Sequence, residues 1–224
     1  MNNLMDVFTI IDKFTAYLKS KNYPFDRDGY PVFKKEMFLT EIPELVVPVN
    51  QRKHKMLVHK GKVLITFFCS DKDIYRRLDK LIDEIDSYKQ YIGVVGCDVT
   101  ITKDMEPEWQ RVIMLLNLLT MAVFSSNGVK IVLNTRQGSE ETRDIIKRFP
   151  KNVMAASGFR GGNRKYDERN FEYVSKILAI HPSVLLIYGS CDKRVADKLN
   201  ELGVKYYQRP AFRDLCKEVQ NGIR

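Results

Sequence analysis

The chain has 224 residues, 44% of them apolar, with 37 Lys and Arg against 28 Asp and Glu. That length and composition fit one core domain with an appendage and exclude a disordered chain. The net charge of +9 favours a polyanionic partner: nucleic acid, a nucleotide or an acidic protein surface.

Residues 4–19 place Leu4, Val7, Phe8, Ile11, Phe14, Tyr17 and Leu18 at helical spacing, which predicts an amphipathic helix. It either packs on the main domain or docks a partner. Residues 20–50 have no regular period, and Pro24, Pro31, Pro43 and Pro48 interrupt them. The densest basic stretch follows, from Gln51 to Lys62, with Arg52, Lys53 and Lys55 at its start and no acid. These three are the candidate nucleic-acid contacts, as a phosphate-binding loop; the alternative is a solvated connection, since no aromatics are interleaved to stack bases. Residues 1–60 are therefore expected to form a mostly irregular, helix-bearing N-terminal extension, and residues 61–224 an α/β core.

From Val63 onward apolar runs alternate with helical periods. Strands are predicted at 63–68, 92–97, 129–133, 153–156, 184–187 and 204–207, each followed by a helix. Ser70 or Asp71 can cap the first of these helices, and Pro107 with flanking acids opens a mostly apolar one through Phe124. Runs without polar alternation indicate strands buried on both faces, so the expected fold is α/β with about six mainly parallel strands. The pattern suits an open, doubly wound sheet or a partial βα barrel, and the open form is the expectation.

Such sheets bind ligands at the carboxyl ends of their strands. Here these ends carry Asp98, Asn134, Arg136, Ser157, Tyr188 and Gln208 or Arg209, with Thr100, Asp104, Glu106 and Arg160 on adjoining loops. Asp98, Asp104 and Ser157 are the candidate catalytic groups. Asp98 with Asp104 or Glu106 suits Mg²⁺, which takes a few carboxylates and keeps its waters. Arg136 and Arg160 suit bidentate phosphate binding, and Thr100, Asn134, Tyr188 and Arg209 complete the candidate ligand contacts. The alternative for Asp98 and Arg136 is a structural ion pair.

Other chemistries lack their patterns. The glycine-rich loop 158–165 is neither a Walker A nor a dinucleotide-binding motif. His54, His59 and His181 have no cysteines at zinc spacing, and no G-x-S-x-G or H-E-x-x-H occurs. The four cysteines include no C-x-x-C and suit reduced thiols, so a cytoplasmic protein is expected. The longest apolar patch, 112–124, is too short to span a bilayer, and Asp6, Asp12 and Lys13 break any signal peptide, so no membrane partner is expected.

Several stations along residues 60–190 resemble the domain of unknown function 4417 family of bacteriophages and other mobile genetic elements. They are Asp98-Val99-Thr100 with Asp104-Met105, then Asn127-Gly128-Val129, then Thr135, Ser139 and Glu141, then Ala155-Ala156-Ser157, and finally Tyr188-Gly189. Cys97 and Arg136-Gln137 depart from its usual Pro and Ser-Trp. The resemblance implies an α/β fold and a phage or mobile-element source, and it implies no reaction. The leading expectation is thus a protein that binds or processes a phosphate-bearing ligand, nucleic acid or nucleotide, at the sheet edge. The competing ones are a non-enzymatic protein that binds a host protein or DNA through its basic surface, and a small-molecule enzyme.

Overall fold

The computed structural model describes residues 4–102, 104–136, 138–158 and 168–221. Helix α1 (Leu4–Ser20) precedes strand β1 (Leu45–Pro48). The chain then runs through β2 (Val63–Thr66), α2 (Asp71–Asp79), α3 (Leu81–Glu84), β3 (Gly93–Val95), α4 (Pro107–Ser126) and β4 (Ile131–Asn134). After a 3₁₀ segment at Glu140–Arg148 come β5 (Met154–Gly158), α5 (Glu168–Ile180), β6 (Val184–Tyr188), α6 (Lys193–Glu201), β7 (Tyr206–Arg209) and α7 (Phe212–Gln220).

All seven strands are parallel, and each pairs with the next in chain order. The order never reverses. Right-handed crossovers that always step in one direction put every helix on the same face of the sheet. The expected open, doubly wound form is therefore corrected to the partial βα barrel.

The period of two along each strand separates two apolar layers. Val47, Ile65, Val94, Ile131, Leu133, Ala155, Leu185 and Ile187 point outward and pack with residues of the helices. Val46, Leu64, Val95, Val132, Met154, Ala156 and Leu186 point the other way and form their own cluster with Leu39 and Val184. Among the described residues that inner cluster contains no helical side chain.

The inner layer shows that the sheet curls. Phe68, just past β2, and Tyr188, at the end of β6, lie with ring centroids 5.8 Å apart. Four inter-strand steps across a flat sheet would separate them by roughly 19 Å. The edges also approach each other: Arg209 of β7 donates from Nε to the Pro43 carbonyl just before β1, at 3.0 Å, and α7 packs against β1.

The segment before residue 61 is more ordered than its composition suggests. It supplies β1, whose edge position tolerates Pro48. Helix α1 packs along α4, with Phe14 and Leu18 fully buried, and Tyr17 donates to Asn127 at 2.9 Å. Asp26 and Asp28 pair with Arg148, whose guanidinium lies 4.2 Å from the Tyr30 ring centre. Phe33 stacks on Phe149 at 5.3 Å. Helix α4 is long and apolar enough to cross a membrane by length and composition, and in this fold it is largely buried beneath α1 and against β4.

Close strand approach has a steric consequence at Gly93. A Cβ there would stand 2.8 Å from the Lys130 carbonyl oxygen, a backbone atom that cannot yield easily. Gly93→Ala should lower stability by about 1–3 kcal/mol in urea denaturation, with an unchanged slope of stability against urea.

Candidate ligand-binding site

The curl gathers the carboxyl ends of the strands around a cavity of about 940 Å³. Pro48 ends β1, and Asn50, Gln51 and His54 follow it on the wall. Phe68, Cys69 and Ser70 follow β2, Asp98 follows β3, Arg136 follows β4, Gly158 ends β5, and Tyr188 ends β6, with Gly189 and Ser190 just beyond it. The start of α7, Ala211 to Asp214, closes the ring with Cys216.

The polar centre is built on Asn134, the buried last residue of β4. Its Nδ2 donates to the Cys97 carbonyl at 2.8 Å and to Asp98 Oδ1 at 2.9 Å, while its Oδ1 accepts the Arg136 amide at 3.0 Å. One side chain thus ties the ends of β3 and β4 together. Arg136 then reaches Asp98 through Nε at 2.5 Å and Nη2 at 3.3 Å. The Asp98 side chain is 12% exposed and the Arg136 side chain 35%, so the acid is the more deeply buried of the two, and both line the cavity. Burial pushes the Asp98 carboxyl above the ordinary aspartate range, against the pull of Arg136 and Asn134. Burial also pushes the neighbouring Cys97 thiol well up, which leaves it protonated and unsuited to nucleophilic attack.

Aromatic rings form the apolar part. The Phe68 and Tyr188 planes are inclined by 30° and cap the inner cluster. Gly158 lets this happen, since a Cβ there would press to 3.0 Å on the Phe68 ring. The Tyr188 hydroxyl accepts the Phe212 amide at 3.0 Å, which fixes the ring against the first residue of α7. His54 meets Phe212 edge-on at 5.3 Å, and its Nδ1 accepts the Met56 amide at 3.3 Å. In the neutral ring that leaves the proton on Nε2.

With this geometry in view, comparisons with models of protein families, with curated proteins and with solved structures return no match.

Of the residues singled out from the sequence, Asp98, Arg136 and Tyr188 line the cavity, and Asn134 braces it from below. Thr100 lies beside it, donating from its amide and hydroxyl to Asp71 at 3.3 and 3.1 Å, which staples the β3 loop to the start of α2. The others lie elsewhere. Ser157 faces outward, because Ala156 and Gly158 take the inner positions of β5; it meets the Tyr173 hydroxyl in the helical layer. Asp104 is exposed and outside the cavity lining, and its carboxyl is lowered by a hydrogen bond from Thr102. Among the described residues no group of three or more His, Cys, Asp or Glu side chains is placed to hold a metal ion. Arg209 belongs to the seam between β7 and β1 rather than to the cavity lining. Arg160 lies outside the described residues.

Arg52 is a correction to the basic-loop reading. It is 2% exposed, pairs with Glu84, and lies 5.0 Å from the centre of the Tyr88 ring; its carbonyl accepts the Tyr91 hydroxyl. Burial pushes that Tyr88 phenol up to about 12. Lys53 and Lys55 are exposed. Cavity residues such as Phe68, Phe212 and Arg213 are not among the candidates read from the sequence, and His54 is considered there only as a metal ligand. Their signal was indirect: each follows a strand or opens a helix, and only the sheet order shows which of these turns share a mouth.

Arg52→Met should therefore act on stability. It removes the buried partner of Glu84, which is partly exposed and keeps Arg77 at 3.8 Å, and should lower unfolding free energy by about 1–3 kcal/mol. Lys53→Gln and Lys55→Gln should change it by less than about 0.5 kcal/mol. Thermal and urea unfolding of the three variants checks this ordering.

Proposed function

We propose that the protein binds a compact phosphate-bearing ligand, of nucleotide rather than duplex size, in the mouth of the partial barrel. The observation that carries this reading is Arg136: a partly exposed guanidinium held by a buried carboxylate in the lining of a half-open cavity. A cavity of about 940 Å³ lies within the usual range for small ligands. A planar guanidinium suits two phosphate oxygens at once, and fixing it in advance lowers the entropic cost of binding. Arg213 adds an exposed second cation at the rim, 3.7 Å from the Asp214 carboxylate that lines the same cavity. Asp98 then positions Arg136; both its oxygens already accept hydrogen bonds, and Asp104 lies outside the lining, so a carboxylate pair for Mg²⁺ is not assembled.

The resemblance to the domain of unknown function 4417 proteins supports a phage or mobile-element source. The alternative, binding of DNA or a host protein through the basic surface, loses Arg52 and keeps Lys53 and Lys55.

Calorimetric titration with ribose 5-phosphate and with adenosine 5′-monophosphate tests the reading. Arg136→Met should weaken binding at least tenfold, a change of about 1.4 kcal/mol. Asp98→Asn should weaken it similarly and leave the melting temperature within about 3 °C of the parent, because the substitution also removes a carboxylate that burial disfavours. Equal affinity for parent and Arg136→Met would refute the site. Salt-sensitive DNA binding that survives Arg136→Met and falls after charge reversal at Lys53 and Lys55 would support the basic surface instead.

A further inference from the structure

Resting on that phosphate-binding reading, we infer that the ligand carries a planar aromatic heterocycle, stacked on the Phe68 and Tyr188 rings: a nucleotide, not a sugar phosphate. Phe68 and Tyr188 are each only half-buried although they sit over the apolar interior, and both line the cavity, so part of each ring is open to it. The two rings are in contact, with centroids 5.8 Å apart and planes inclined by 30°, so a base that reaches one of them lies against an aromatic pair. A bare sugar phosphate would meet this surface with hydroxyls and lose their hydration without replacement hydrogen bonds. A base covers it with a π-face and keeps its polar edge free.

The surface is also held in place. Tyr188 is fixed through its hydroxyl to the Phe212 amide, and Phe68 rests on the Cβ-less Gly158 of β5. Neither ring sits on a free loop: one ends a strand, and the other follows one by two residues. Rings ordered before binding lose little freedom on stacking. The same half-open cavity is lined by Arg136 and Arg213 as well as by the two rings, so base and phosphate have separate parts of one space.

Four titrations on the full chain test this. The parent protein is titrated with adenosine 5′-monophosphate, guanosine 5′-monophosphate, ribose 5-phosphate and inorganic phosphate. One or both nucleotides should bind at least tenfold more tightly than ribose 5-phosphate. Tyr188→Leu should remove that advantage, whereas Tyr188→Phe should keep it. The preferred nucleotide should also slow alkylation of Cys69 and Cys216, which line the cavity, as followed by mass spectrometry. Equal affinity for the nucleotides and ribose 5-phosphate would overturn the stacking inference and leave the phosphate site standing. No binding of any of the four would overturn both. A nucleotide preference without protection of either thiol would place the base elsewhere and also overturn the inference. The parent comparison needs no variant, so misfolding of Tyr188→Leu would not rescue it.

Discussion

The contact between Phe68 and Tyr188 depends on the curl of the sheet, and so does every feature of the mouth. Seven parallel strands laid down in chain order twist in one sense. With helices along one face only, the other face must bury itself against itself. The side chains at the inner positions, Val46, Leu64, Val95, Val132, Met154, Ala156 and Leu186, are of small to medium size and let opposite strands approach. No eighth strand bridges β7 and β1 among the described residues. That seam is spanned by the Arg209 side chain and by α7.

Once the curl is in place, the electrostatics of the mouth follow from depth. Asp98 is the more deeply buried, where burial disfavours its charge, and Arg136 is the more exposed, where solvent still reaches. Removing water from a carboxylate is costly unless a cation and hydrogen bonds compensate, and here Arg136 and Asn134 both do so. The pair is therefore held together, with the cation the more exposed of the two. Asn134 is the keystone of that arrangement because it joins Cys97 and Asp98, which follow β3, to Arg136, which follows β4.

Much of this was legible from the residues, and the failures have physical reasons. Strands β2 to β6 announce themselves as apolar runs, while β7, Tyr206-Tyr207-Gln208-Arg209, begins two residues later than expected; Asp98, Arg136 and Tyr188, from three strand ends, line one cavity. Strand β1 was hidden because Pro43 and Pro48 bracket it, and proline is an argument against a central strand but not against an edge one. Single against double winding was hidden because a run apolar on both faces does not say which face the next helix covers. Ser157 shows the cost of a one-residue error in parity: the strand end was identified, yet the inner positions belong to its neighbours Ala156 and Gly158. Arg52 shows a different limit. Its charge predicts exposure, and only a long-range partner, Glu84, makes burial tolerable. The role of Phe68 as a ring facing the cavity required knowing that β6 would arrive opposite β2.

The most direct measurement is a nuclear Overhauser spectrum of protein labelled selectively at phenylalanine and tyrosine. A curled sheet predicts cross-peaks between the Phe68 and Tyr188 ring protons, whose centroids lie 5.8 Å apart. Their absence, with both spin systems assigned and ordered, would mean that the strands fan out flat with these rings roughly 19 Å apart. There would then be no shared mouth.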